Sequence, residues 1–412
     1  MVVSPAESDT RANLDESKEA FRAAVRPLRP LPVVFFLSQT PEYGGTEKHL
    51  VELVRRLEGR AHCIIVCLAE DCYSRFLSCY SHVRVVMHAR IKWAKFARFW
   101  LLFTRHRPDV IVFAKGIPHL FPLSAYVAAR MSSAKRLVCI EQLMWDPAPA
   151  AGGGKSVMTR IKEVVGWRTR FMLAKRLQGQ LTHATICVSE ALRHRLTTEY
   201  GYPEHRTLTI HNGADLRYFT SGNGAVGLQG TRDSARDCFT IVCVARLSQV
   251  KRIDILLDAL SLLSRSYGDW RCFILGSGPK ERELRAQASR LNLEGLVTFV
   301  GHVDDVRPYL GMADVMVLSS ENEGLPLSLA EAMAMGVPCI ASDVGGTGEI
   351  VSHGRTGLLF QSGSVDDLYQ AIGYLLVHGE ERRRMGEEAR RWVHEHFDIE
   401  QVMTRVSDVI LA

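Results

Sequence analysis

The sequence predicts an α/β protein built from two Rossmann-like, doubly wound parallel-sheet domains. Short β-branched runs such as "PVVFFLS" and "CIIVCLA" alternate with longer helical patterns such as "GGTEKHLVELVRRLEG". This alternation is typical of a parallel sheet covered by helices on both faces. It begins again at "FTIVCVA", after the polar segment "SGNGAVGLQGTRDSARD". A chain of 412 residues also exceeds what one hydrophobic core usually covers.

The order of these patterns divides the chain. The runs from "PVVFFLS" to "ATICVSE" predict a first domain at 29–215, and those from "FTIVCVA" to "VPCIASD" predict a second at 216–385. Residues 1–28 are polar and are expected to form an extension, and 386–412 are expected to form a helical segment that packs back toward the first domain. A ligand should lie in the cleft between the domains.

Composition narrows the class of protein. A net charge of +6 favours anionic ligands without demanding nucleic acid, so none is expected as a partner. The N-terminus lacks the apolar core of a secretory signal, and the most apolar window is too interrupted to cross a bilayer. The ten cysteines form no Cys-x-x-Cys pair and read as buried thiols, so neither a metal site nor a disulfide framework is expected. A cytoplasmic location follows, with the inner face of the membrane as an alternative.

Glycines at two predicted strand ends suggest phosphate contacts. Gly44 and Gly45 open a helix after the first strand, and Gly276 and Gly278 repeat the arrangement in the second domain. Backbone N–H groups and the helix dipole would face an anion there, although a plain turn explains each pair equally well. "AGGGKS" at 151–156 lacks the first glycine and the preceding strand of a phosphate-binding loop, and is predicted to be a loop.

Two carboxylates, Glu323 and Glu331, are separated by seven residues in "ENEGLPLSLAEAMAMG". Glu323 is predicted on the loop after the strand "ADVMVLSS", and Glu331 on the following helix. The amides of Gly324, Leu325 and the first helical turn, which includes Pro326, form a small positive concavity. Carboxylates accept sugar and ribose hydroxyls, while the amides bind charged oxygens. The alternative is a capping acid plus a solvated helix glutamate.

The E-x7-E pair, together with "GGTEKHL", "VSEALRHRL", "TIHNGADLRYF" and "VARLSQVKRIDILLDAL", resembles the retaining GT-B glycosyltransferases of family four. The resemblance extends over nearly the whole chain after residue 30. It implies that a sugar is transferred from a UDP- or GDP-linked donor to a glycan or lipid-linked acceptor, with retention of anomeric configuration. Cell-envelope polysaccharide or glycolipid synthesis would be the setting.

The same resemblance assigns roles to single residues. Arg246 and Lys251 match the family's diphosphate-binding pair, which makes catalysis independent of metal and of any cofactor; two surface cations are the alternative. The sequence also has no Asp-x-Asp metal-binding pattern. Glu331 would hold the ribose, and Glu323 the donor sugar. Gly45 would approach the phosphates, and the backbone at His302 and Val303 would meet the base.

One position departs from the family. Many relatives carry a histidine that touches the donor sugar after the fourth strand of the first domain, where this chain has Glu141 followed by Gln142. These two residues are candidate sugar or acceptor contacts, and a loop glutamate without a ligand is the alternative.

A stretch at 90–107, rich in basic and aromatic residues, lies in the first domain, which is expected to bind the acceptor. Trp93, Phe96, Trp100 and Phe103 recur at helical spacing with basic residues off that stripe. The stretch could lie on an anionic membrane, or the stripe could be buried against the sheet with a solvated basic face.

Two further classes of function remain open at this point. The chain could be a binding subunit that scaffolds a partner transferase without catalysis, or another GT-B enzyme such as a sugar-nucleotide epimerase or phosphorylase. The intact set of Arg246, Lys251, Glu323 and Glu331 favours a transferase over both.

Overall fold

The first domain is a seven-stranded parallel sheet. The computed structural model describes residues 31–38, 45–67, 73–87, 96–115, 122–142, 157–219 and 238–412. The strands follow the order β3-β2-β1-β4-β5-β6-β7 across the sheet. Their bounds are β1 Val33–Ser38, β2 His62–Cys67, β3 Val83–Met87, β4 Val110–Lys115, β5 Arg136–Glu141, β6 Ala184–Cys187 and β7 Thr207–Thr209. The helices between them are α1 Gly45–Arg56, α2 Ser74–Leu77, α3 Phe96–His106, α4 Leu123–Arg130, α5 Val157–Leu181 and α6 Glu190–Thr198.

Both faces of this sheet are buried, as the apolar runs predict. Alternate residues of β1 point to opposite faces, so Val34 and Phe36 pack under α1 while Phe35 and Leu37 pack under α3 and α4. All four side chains are fully buried.

The second domain repeats the plan with six parallel strands in the order β10-β9-β8-β11-β12-β13. Its strands are β8 Phe239–Val244, β9 Trp270–Leu275, β10 Val297–Gly301, β11 Val315–Leu318, β12 Cys339–Ser342 and β13 Gly357–Phe360. Its helices are α7 Ile253–Ser266, α8 Glu281–Arg290, α9 Arg307–Met312, α10 Leu327–Ala334, α11 Thr347–Ile350, α12 Val365–Val377 and α13 Gly379–His396. The strand order reverses between β8 and β11, where open sheets of this kind bind ligands. The predicted pair of Rossmann-like domains is confirmed.

The chain passes between the domains twice, and the two passages lie side by side. Ala214 donates its N–H to the carbonyl of Phe397 at 2.8 Å and accepts from the N–H of Ile399 at 3.1 Å. The last helix, α14 (Ile399–Leu411), then packs on α1 of the first domain. This return begins after α13, later than residue 386, where the sequence predicts the segment to start.

The aromatic stripe is mostly packed inward where the structure describes it. Phe103 is buried in the core under α3, and Trp100 packs against that core. Phe96 is exposed, and Trp93 lies outside the described residues, as do residues 1–28 and 151–156. These positions favour the buried-stripe alternative, and contact with an anionic membrane stays a prediction. Among the helices that the structure describes, none is long and apolar enough to span a bilayer.

The cysteines of β2 behave as the composition predicts. Cys63 and Cys67 are buried in the strand, and burial raises the pKa of the Cys63 thiol to about 12. Within the described ranges, no group of three or more His, Cys, Asp or Glu side chains is arranged to hold a metal ion.

Candidate active site

The segment after β8 carries Lys251 and is hydrogen-bonded to the segment after β11. Gln249–Lys251 form a 3₁₀ turn, and Arg252 follows with a left-handed φ of 45° before α7 begins. Such a backbone conformation is costly for a residue with a side chain, so surrounding contacts must impose it. The hydroxyl of Ser319 donates to the carbonyl oxygens of Lys251 at 3.1 Å and Arg252 at 2.9 Å. The two strand ends that flank the reversal point are therefore joined.

Lys251 and Glu323 meet at this point. The Lys251 Nζ lies 2.5 Å from Glu323 Oε1, and the hydroxyl of Ser320 donates to the same oxygen at 2.6 Å. Glu323 is 8% exposed, and its partner lysine 25%. A mostly enclosed carboxylate thus holds an ammonium group that solvent and a ligand can still reach. The structure brings together two of the three predicted catalytic residues.

Arg246, the third, follows β8 by two residues and is exposed. The segment that carries it packs closely on the loop after β9. A Cβ at Gly276 would lie 2.1 Å from the carbonyl oxygen of Ala245, and one at Gly278 would lie 2.4 Å from that of Leu247. The two glycines are therefore required for backbone packing beside Arg246, whatever further contact they make with a ligand.

The loop after β10 borders the same edge. The carbonyl of Gly301 accepts from the N–H of Gly276 at 2.7 Å, so His302 and Val303 follow directly on the neighbouring segment. The His302 side chain is exposed and Val303 packs partly into the core. Contact of this backbone with the base of a nucleotide stays a prediction.

Two glycines that the sequence analysis did not single out shape the loop of Glu323. Gly345 and Gly346 follow β12, and Gly345 has a left-handed φ of 53°. A Cβ at Gly345 would lie 1.8 Å from the carbonyl oxygen of Glu323, and one at Gly346 would lie 2.2 Å from that of Gly324. Their signal in the sequence is a Gly-Gly pair that begins three residues after the end of a buried strand.

Gly324 is where the second domain touches the first. A Cβ at this position would lie 1.7 Å from the carbonyl oxygen of Gln142, just beyond β5. The Asn212 side-chain amide lies beside this contact and donates to Gln142 Oε1 at 3.1 Å and to the carbonyl of Leu325 at 3.3 Å. Of the two predicted first-domain contacts, Gln142 is therefore the one that faces the second domain.

Glu141 does not lie on a loop, so the alternative of a loop glutamate without a ligand is wrong. It is the last residue of β5 and is fully buried. Its carboxylate accepts from Lys115 Nζ at 2.6 Å, from Lys175 Nζ at 3.4 Å and from the hydroxyl of Tyr202 at 3.3 Å. Burial alone would raise its pKa, but the two ammonium groups bring that pKa down to about 2. Because these groups enclose the carboxylate, a direct contact with donor sugar or acceptor is excluded in this conformation.

Glu331 lies on α10, which begins directly after Pro326 and ends before Gly336, whose φ is 76°. The residue as a whole is half-buried, and burial of its carboxyl group raises the pKa of that group above the ordinary value. The positive charge of Lys48, on α1 of the first domain, opposes this shift. The sequence analysis did not identify Lys48. Its position about one helical turn after Gly44-Gly45 could have suggested it. Gly45 begins α1, and Gly44 lies outside the described residues.

Replacing Gly324 with alanine is expected to lower kcat/KM about 100-fold, because the added methyl group must push the loop away from Gln142. The displacement should also cost about 1–3 kcal/mol of unfolding free energy. Gly295→Ala is the matched control, since a Cβ there meets nothing within 4 Å. Steady-state kinetics and thermal unfolding of both variants check this, and equal activity in the two would contradict it.

Two parallel-sheet domains that meet at the carboxyl ends of their strands, with a paired lysine and glutamate at the reversal point of the second sheet, are typical of a glycosyltransferase of the GT-B type. Residues 43–218 match the family described as Glycosyltransferase Family 4, and residues 232–392 match Glycosyl transferases group 1. The chain belongs to this glycosyltransferase family.

Individual proteins are similar to this chain over most of its length. N-acetyl-alpha-D-glucosaminyl L-malate synthase of Bacillus anthracis is 32% identical over 307 residues, which is 74% of this chain and 75% of that protein. A GDP-mannose-dependent alpha-(1-6)-phosphatidylinositol monomannoside mannosyltransferase of Mycobacterium tuberculosis is 27% identical over 90% of this chain and 95% of its own length.

Solved structures confirm the fold. Anabaena HepE in complex with UDP superimposes with a TM-score of 0.73 at 20% identity and covers 92% of this chain and 99% of its own. WaaG, a glycosyltransferase involved in lipopolysaccharide biosynthesis, superimposes with a TM-score of 0.70 at 17% identity, with 92% and 99% coverage.

Proposed function

We propose that this glycosyltransferase moves a hexose from a UDP- or GDP-linked donor to a glycan or lipid-linked acceptor, with retention of configuration and without a metal ion. The observation that carries the proposal is the Lys251–Glu323 pair at the reversal point of the second sheet. Arg246 follows the same strand as Lys251. The names of the relatives support a sugar donor of this type and include one lipid acceptor.

The cations would stabilise the leaving group. When the anomeric C–O bond breaks, negative charge develops on the diphosphate, and a guanidinium and an ammonium group held by the fold neutralise it without reorganisation. Glu323 orients Lys251 before the donor arrives. Arrival of the diphosphate gives the ammonium a second anion, so it bridges the phosphate and the carboxylate.

The carboxylates would hold the rest of the donor. Glu323 would accept hydrogen bonds from hydroxyls of the donor sugar, and the backbone amides that follow it would donate to oxygens of that sugar. Glu331 would accept from the ribose hydroxyls. The charge of Lys48 in the first domain also acts on Glu331 and lowers its pKa. Backbone at His302 and Val303 would contact the base.

Retention would follow from displacement on one face of the sugar. The acceptor oxygen approaches the anomeric carbon from the side that the diphosphate leaves, and the departing phosphate oxygen takes the acceptor proton. The products are the glycosylated acceptor and a nucleoside diphosphate.

A panel of UDP- and GDP-sugars tests the function, with released nucleotide and glycosylated product measured with and without EDTA. The proposal is supported if turnover persists in EDTA and if NMR shows the same anomeric configuration in the product as in the donor. Turnover that requires a divalent ion, or a product of inverted configuration, would overturn the mechanism.

Glu331→Gln is expected to weaken donor binding about 10-fold, since hydrogen bonds to an ionised group are lost. The same change should raise Tm at pH 7. A carboxyl group whose pKa is raised on folding is favourable when protonated, and that contribution is lost as pH rises through the folded pKa. Calorimetric titration with nucleotide and thermal unfolding between pH 4 and 8 check both effects. Glu283→Gln, an exposed acid on α8, is the control for which neither should change.

A further inference from the structure

Glu349 of the second domain binds the first domain through three hydrogen bonds. It lies on α11, and its two carboxylate oxygens accept from the backbone N–H groups of Glu190 at 2.7 Å and Ala191 at 2.9 Å. The Nε2 of His211 lies 2.8 Å from Oε2. These partners come from two motifs, "VSEALRHRL" and "TIHNGADLRYF", to which the proposed mechanism assigns no role.

Helix α6 depends on this carboxylate. The first N–H groups of a helix have no partner within it. The side chain of Ser189 satisfies the N–H of Leu192, and Glu349 satisfies those of Glu190 and Ala191. A carboxylate at a helix N-terminus also interacts favourably with the helix dipole. Burial alone would raise the pKa of Glu349, but these bonds and His211 keep it below the ordinary value, so the group is ionised at neutral pH.

The same turn of chain supports the candidate active site. Gly345 and Gly346, which pack against the backbone of Glu323 and Gly324, precede Glu349 by four and three residues. The hydroxyl of Thr347 donates to the carbonyl of Ser342 at 2.7 Å and fixes this turn on β12. A Cβ at Gly346 would also lie 2.7 Å from the Cβ of Ser189. The start of α6, the glycine turn and the Glu323 loop therefore form one continuous packing unit.

We propose that Glu349 is a positioning residue for sugar transfer: it fixes α6 and His211 against the glycine turn, so that an acceptor held by the first domain meets the donor sugar held by the Glu323 loop. This inference rests on the proposed function. Glu349 touches neither substrate in this arrangement and acts through the relative placement of the two domains.

Glu349→Ala and Glu349→Gln test the proposal, with Glu388→Gln as a matched control. Glu388 has nearly the same exposure, 20% against 21%, but its carboxylate contacts only Arg355 and Arg391 of its own domain among the ion pairs that the structure shows. In the alanine variant, amide hydrogen exchange at 190–193 should rise about 10-fold or more. Its kcat should fall about 10- to 100-fold. The glutamine variant keeps one acceptor oxygen and should recover part of both.

Nucleotide affinity separates positioning from direct binding. Arg246, Lys251 and Glu331 all remain in the second domain, so the Kd for UDP or GDP should change by no more than about threefold. Unchanged exchange at 190–193 and unchanged kcat in the alanine variant would overturn the proposal, as would an equal loss in Glu388→Gln. Absence of sugar transfer by the wild-type chain would count against the proposed function, whereas the exchange experiment would still report on the contact itself.

Discussion

Lys251→Ala is expected to lower kcat by about 10²- to 10³-fold, and Arg246→Ala should have a similar effect. Under the proposed mechanism, each change removes a cation that would neutralise the departing diphosphate. The fold should persist, because Lys251 is partly exposed and Arg246 exposed. Single-turnover rates with saturating donor measure the chemical step, and circular dichroism checks the fold.

Lys135→Ala is the control for this experiment. This lysine is 81% exposed, pairs with Asp109 and precedes β5, at the opposite end of the first sheet from the site. Its loss should leave turnover unchanged. Full activity in the Arg246→Ala, Lys251→Ala double variant would refute the cationic mechanism.

Glu141→Ala is expected to destabilise the protein by about 3–5 kcal/mol. The change leaves the ammonium groups of Lys115 and Lys175 buried without their counter-ion, and both lysines are 2% exposed. Burial already lowers the pKa of Lys175 to about 8, so this lysine should lose its proton at neutral pH in the variant. Urea unfolding at pH 7 measures the effect.

Acid titration gives an independent check. The pKa of Glu141 is about 2 in the folded protein, below the ordinary carboxyl value, so its contribution is complete above the unfolded pKa. That contribution should disappear only as pH falls toward 2. Glu199→Gln removes an exposed pair with Arg195 and should cost less than about 0.5 kcal/mol. Equal stability of the two variants would show that the buried cluster contributes nothing.

Periodicity alone predicts the parallel sheets, because each strand is a short apolar run and each helix a longer amphipathic one. It also predicts Glu323 on the loop after β11, whereas Lys251 was assigned by resemblance to the family. The two residues meet because they follow β8 and β11, which are neighbours in the sheet.

Glu141 could not be placed in the same way. An acidic residue after five mostly apolar ones is typical of a strand end reaching solvent, and its partners Lys115 and Lys175 are 26 and 34 residues away on other elements. Tertiary burial overrides the local pattern here. The interdomain role of Glu349 was missed for the same reason, since its partners Glu190 and His211 are 159 and 138 residues away.

The paired passages at Ala214 and Phe397–Ile399 bear on how new specificities could be assembled in this family. Helix α14 contributes buried Val402, Met403 and Ile410 to the core of the first domain. Exchanging the first domain between relatives therefore requires two junctions, one at each passage, and α14 must be exchanged together with that domain. In a chimera with a single junction, α14 would have to pack on the first domain of a different protein.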